Sequence, residues 1–178
     1  MDVFKYSQRI VDNEIKIQPI LEDQKRVIYT SALLHDMCDN KYMDETHGLN
    51  RIREFITLGL NYDIKEVETI CKIISTMSYS KVKKNGFPTM DKYQSAYHIV
   101  READLLTAYD IDRCIVYNMN CCNEEYTQSI TDACNLYQVR MGKHIKDNLF
   151  VTSTGLSIAK DLESDANLRF KELKNILP

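Results

Sequence analysis

The sequence predicts an all-α fold. Glycine and proline are scarce, five and three among 178 residues. No stretch sustains the alternation of a β-strand, and apolar residues recur at three- and four-residue spacing along most of the chain. This length is that of one ordinary domain, enough to bury a core without disulfide or metal staples, so the expectation is one domain over 1–178.

The elements follow in order. Val3 to about Gln18 reads as a helix closed by Pro19, because proline disfavours the helical region in the residue before it. A second runs from about Glu22 to Met37, and a shorter one from Leu49 to Leu58 stops at Gly59. Ile64, Val67, Ile70, Cys71, Ile74 and Met77 mark the clearest helix, with Asp63 and Glu66 as its capping box. Ser78 to Met90 is turn-rich and locally basic and reads as a loop. The next helix starts at Asp91, with Gln94 three residues on, and carries Tyr97, Val100, Asp104, Ala108 and Ile111 on one stripe. Two more follow, one through Tyr126, Ile130, Ala133, Tyr137, Met141 and Ile145, the other from Leu156 to Leu177. The total is about seven helices. The last offers its stripe either to the domain's own core or to a second copy of the chain, making a homodimer a candidate assembly.

Charge narrows the function classes. With 23 basic and 26 acidic residues the net charge is -3 and the pI about 5.8, which argues against an extended nucleic-acid surface. Mean hydropathy is -0.38, and no run approaches the roughly 20 apolar residues of a membrane span. The opening Met1-Asp2-Val3-Phe4-Lys5-Tyr6 lacks the order of a secretory signal, so a cytoplasmic setting is expected. The six cysteines form no CxxC pair, and Cys121-Cys122 is a poor geometry for a bridge; all six read as reduced, mostly buried residues.

Two places break the apolar pattern. In Ala32-Leu33-Leu34-His35-Asp36-Met37-Cys38-Asp39 an ionisable pair interrupts the end of a helix. Asp104 sits on the stripe with Tyr97, Val100 and Ala108, where a buried carboxylate calls for a metal, an arginine or a helix N-terminus beside it. Neighbours on a helix point about 100° apart, so His35 and Asp36 converge only on an ion lying beyond the helix end. One imidazole and two carboxylates suit Mn, Fe, Mg or Zn rather than a thiolate zinc centre. Spacing alone also allows an exposed helix end with a solvated acid.

Ala32-Leu33-Leu34-His35-Asp36, followed far downstream by Val100-Arg101-Glu102-Ala103-Asp104-Leu105-Leu106, resembles the HD-domain superfamily of metal-dependent phosphohydrolases, most of all the small bacterial-type hydrolases acting on nucleotides. Asp39 and Lys41 stand where that pattern continues. Ile74-Ser75-Thr76-Met77-Ser78-Tyr79 and the segment from Phe150 to Ala159 are also similar to family segments. The resemblance implies a single HD-domain helical bundle holding a divalent ion, with Mn, Mg, Fe, Co or Ni as candidates. It implies His35, Asp36 and Asp104 as metal ligands, Asp36 and Asp39 as catalytic carboxylates, and Lys41 and Lys81 as phosphate-binding cations. The family's first ligand histidine precedes the stretch similar to Val3–Ile10, and here no histidine precedes His35, so the domain is expected to lack that extreme N-terminal segment. Thr107 replaces a second aspartate that relatives carry. Among the other histidines, His47 reads as a loop residue able to approach the site or face solvent, and His98 and His144 as structural.

The expected activity is hydrolysis of a phosphoester or phosphoanhydride in a small nucleotide-like substrate by metal-activated water. The alternative is an HD scaffold that binds a ligand or partner with weak or lost turnover. Neither reading involves a membrane.

Overall fold

The computed structural model describes residues 2–39 and 43–176. Among these residues it is all-helical, with no strand. The α-helices are α1 (Val3–Glu14), α2 (Glu22–Leu34), α3 (Glu45–Gly59), α4 (Ile64–Thr76), α5 (Tyr79–Asn85), α6 (Gln94–Thr107), α7 (Ile111–Cys121), α8 (Tyr126–Val139) and α9 (Ser153–Lys174). Short 3₁₀ turns lie at His35–Cys38, Asp91–Tyr93 and Met141–Lys143.

Nine α-helices among the described residues correct the expectation of about seven. The loop expected over Ser78–Met90 contains α5, which starts after Ser78 and ends at Gly86, whose φ of 73° is a conformation that favours glycine. The stripe from Tyr97 to Ile111 belongs to two helices, because the Asp110 carboxylate accepts from the Arg113 amide at 3.0 Å and caps a new helix, α7. Other boundaries moved for similar local reasons. Asp44 caps α3 through the His47 amide at 2.9 Å, so the helix begins four residues before Leu49. The Gln94 side chain accepts from Met90 at 2.9 Å rather than from Asp91, and the intervening residues tighten into a 3₁₀ turn. The capping box of α4 forms as expected, with Asp63 accepting from Lys65 at 2.7 Å and its own amide donating to Glu66 at 3.0 Å.

Chain contacts group the molecule into Met1–Asp104 and Leu105–Pro178. In the first unit, α1 packs on α2, α2 on α4, and α3 on α4 and on the His35–Cys38 turn. Ile10, Val27, Ile28, Ile52, Ile56, Val67, Ile70 and Ile73 are fully buried there. Each such side chain contributes roughly 1.5–3 kcal/mol relative to exposure. In the second unit α7 packs against α8 and α9, with Ile115, Ile130, Ala133 and Leu173 buried. Arg169 of α9 grips both carboxylate oxygens of Asp112 on α7 at 2.9–3.1 Å.

No helix among the described residues is long and apolar enough to cross a membrane. All six cysteines are free, but Cys121 and Cys122 are exposed and Cys114 is half-buried, so only Cys38, Cys71 and Cys134 match the expected buried role. The vicinal pair ends α7, where the helix runs out into solvent.

Candidate functional site

Helix α2 ends at Leu34, and its continuation tightens into the 3₁₀ turn His35–Cys38, closed by a bond from the Asp39 amide to the Asp36 carbonyl at 3.2 Å. The turn is pinned from outside by α3. A Cβ on Gly48 would stand 2.6 Å from the Met37 carbonyl oxygen and 3.1 Å from Cys38 Sγ, so only glycine allows this approach. A sequence constraint in α3 thus sets the position of the His-Asp pair.

His35 Nδ1 lies 2.9 Å from the Ala32 carbonyl, an acceptor, so this nitrogen carries the proton and Nε2 presents its lone pair in the neutral ring. Nε2 stands 3.1 Å from Asp36 Oδ1 and 4.0 Å from Asp104 Oδ1. Burial pushes the imidazole pKa down, but the hydrogen bond and charge of Asp36 and the charge of Asp104 outweigh it and leave it raised. The histidine is mostly covered, with 16% of its side chain exposed, whereas Asp36 is 70% exposed. Asp104 is 34% exposed, which corrects the expectation of a buried carboxylate: it faces His35 at the rim of the packed face of α6 rather than sitting in the core.

Donor atoms each ~2.1 Å from a common centre lie about 3 to 4 Å apart. The separations of 3.1 and 4.0 Å around Nε2 fall in that span. Among the described residues, however, no group of three or more His, Cys, Asp or Glu is placed so that it could hold a metal ion. Asp39 ends the turn, half-buried, with its carbonyl accepting from the Met43 amide at 3.2 Å.

The phosphate cations stand differently. Lys41 lies outside the described residues. The Lys81 ammonium, on α5, is held by the Glu45 carboxylate and by the Ser75 carbonyl at 2.7 Å, so its charge is already matched. Lys83 and Lys84 are exposed. His47 lies in the first turn of α3 rather than in a loop, and it is exposed. His144 is fully buried with its ring edge-on to Tyr109 at 5.9 Å. Thr107 is buried at the end of α6.

Sequence reasoning passed over Arg101. Its side chain is 1% exposed and that of its neighbour Glu102 is fully buried, the two joined from Nη2 to Oε1 at 3.2 Å. Arg101 Nε and Nη1 are buried with no hydrogen-bond partner. An unsatisfied buried donor costs about 1–3 kcal/mol, more on a charged group. The Phe87 ring lies over the guanidinium, 4.6 Å from Cζ to the ring centre, and Phe87 itself is 41% exposed. His98 completes the cluster, edge-on to Phe87 at 5.1 Å. Its Nε2 lies 3.1 Å from the Gln94 amide nitrogen and its Nδ1 3.5 Å from Arg101 Nη2. Both ring nitrogens therefore face donors. Burial, together with the Arg101 charge, lowers the His98 pKa to about 4. The signal was present in the sequence as a charged pair inside the apolar run Ile99–Leu106.

Compared with family models, with curated proteins and with solved structures, the chain matches none.

Proposed function

We propose that the chain is a metal-dependent phosphohydrolase of the HD type, acting on a small nucleotide-like substrate. The observation that carries this reading is the convergence of Asp36 and Asp104 on His35 Nε2 at 3.1 and 4.0 Å, while Ala32 holds the other ring nitrogen. Those two acids and that imidazole are the residues for which the sequence resemblance implies a metal-ligand role, and they come from segments far apart in the sequence of the first unit.

A divalent ion, if held there, would supply Lewis acidity and lower the pKa of a water bound to it. The chain's own residues do the rest. The Ala32 carbonyl fixes the His35 tautomer and ring plane, as the outer partner of a ligating histidine does. Asp36, largely exposed, is open to the incoming substrate side and able to accept a proton from water. Asp39, at the end of the same turn, would be the residue to orient an attacking water.

The second reading, a helical scaffold that binds its ligand without efficient turnover, draws on one observation: Lys81 is already engaged by Glu45 and Ser75 and lends no free charge to a phosphate. Phosphate release separates the two. Purified protein supplied with Mn, Mg, Fe, Co or Ni is expected to release phosphate or pyrophosphate from a nucleotide panel, and Asp104→Ala to release none. Unchanged activity in Asp104→Ala would refute the site, and binding without release by the unaltered chain would favour the scaffold.

A further inference from the structure

With Lys81 occupied, the described residues of the first unit include one deeply buried cation, Arg101, whose donors are largely unmet. On the guanidinium of Arg101, Nη2 takes Glu102 at 3.2 Å and only a long approach to His98 at 3.5 Å. The one N–H of Nε and the two of Nη1 reach no acceptor. Arg101 stands on α6 one turn before Asp104, and residues three apart on a helix are neighbours on its surface. Phe87 closes this group off. It sits on the strap from Gly86 to Met90 between α5 and the 3₁₀ turn at Asp91, with its ring on the guanidinium and 41% of its surface in solvent. The strap is tied down beyond Phe87 by Lys72 to the Thr89 carbonyl at 2.9 Å and by the Met90 amide to Gln94 at 2.9 Å. Before Phe87, Gly86 has a φ of 73° and nothing within 4 Å of the place a Cβ would occupy. Open space beside Gly86 leaves room next to the strap, and a swing of Phe87 gives up only its edge contacts with Tyr97 at 6.4 Å and His98 at 5.1 Å and its place on the guanidinium.

We propose that Arg101, roofed by Phe87, is the phosphate-binding residue of this molecule, taking a phosphate oxyanion on the N–H groups of Nε and Nη1 when the roof swings aside. This deepens the hydrolase reading and rests on it for the identity of the substrate, but the anion site itself needs no metal. A guanidinium suits a tetrahedral oxyanion because its planar array of N–H donors meets several oxygens at once. Glu102 matches only the Nη2 corner and leaves the remaining donors to the ligand. The closed roof lowers the apparent affinity by the fraction of time it is shut.

The test is equilibrium binding of inorganic phosphate and of pyrophosphate to the full chain in excess chelator, by calorimetry. Saturable binding is expected for the unaltered protein. Arg101→Lys keeps a cation but loses the array and is expected to bind at least about tenfold more weakly. Phe87→Ala removes a half-exposed ring rather than a core group and is expected to bind about three- to tenfold more tightly, because no closed roof remains to be opened. Should neither the unaltered protein nor Phe87→Ala bind either anion, buried water satisfies Arg101 and the proposal is wrong. It is equally wrong if Arg101→Lys, folded by circular dichroism, binds as the unaltered protein does, or if Phe87→Ala binds no better. Mn uptake, measured separately, keeps the two claims apart. Phosphate binding without Mn uptake leaves the Arg101 site standing and sinks the hydrolase reading. Mn uptake without phosphate binding sinks the Arg101 site alone.

Discussion

His35 and His98 show how one side-chain type takes opposite roles in opposite surroundings. His35 has a carbonyl on one nitrogen and two carboxylates around the other, so its surroundings favour positive charge, a proton or a metal ion. His98 has donors on both nitrogens and stays neutral. That neutrality couples stability to pH. The folded pKa, about 4, lies below the ordinary histidine value near 6.5, so the folded state binds fewer protons than the unfolded one between these values. The contribution is complete above about pH 6.5 and is lost as pH falls toward 4. At about 1.4 kcal/mol per pKa unit the ceiling is about 3.5 kcal/mol, and solvent screening of the partly exposed ring keeps the contribution well below it. Urea titrations across that range should show stability falling with pH in the unaltered protein and a shallower fall in His98→Gln. Equal slopes would mean that His98 is not the residue responsible. The proximity of His35, Asp36 and Asp104 was legible in the sequence because charged residues in apolar runs stand out and because their order resembles a known pattern. The partners of Arg101 and Lys81 were not, since Phe87 and Glu45 reach them only through tertiary packing.

At the scale of the element, local chemistry decided most boundaries. Helix α4 was legible to its ends because Asp63 and Glu66 form the cap that their spacing announces. Asp63→Ala should cost about 1 kcal/mol in a thermal melt. Helices α5 and α7 were not legible. The first is short and basic and sits in a stretch with turn-like composition, and the second continues the apolar spacing of α6 across Asp110. The most consequential element contact is that of α3 with the His35–Cys38 turn. Gly48→Ala places a methyl 2.6 Å from the Met37 carbonyl oxygen and must push the turn or the helix away. A loss of about 1–3 kcal/mol in stability is expected from such overpacking, together with weaker Mn uptake because His35 moves with its turn. Stability lost with Mn uptake intact would show that α3 does not position the pair.

At the scale of the molecule, the all-α class followed from composition and spacing, because scarce glycine and proline leave long helical runs unbroken. The grouping into Met1–Asp104 and Leu105–Pro178 was not visible, as its boundary falls inside α6 and no linker marks it. The candidate site lies wholly within the first unit, whose core includes the fully buried Ile70 of α4. Ile70→Ala should cost about 2–5 kcal/mol by denaturant titration. The proposed function requires that His35, Asp36 and Asp104 hold one divalent ion. Equilibrium dialysis against Mn tests it most directly, comparing the unaltered chain with Asp104→Asn, which keeps the side chain's shape and removes its charge. One Mn per chain is expected, lost or greatly weakened in the variant. Absence of Mn uptake by the unaltered chain, or equal uptake by both, would contradict it.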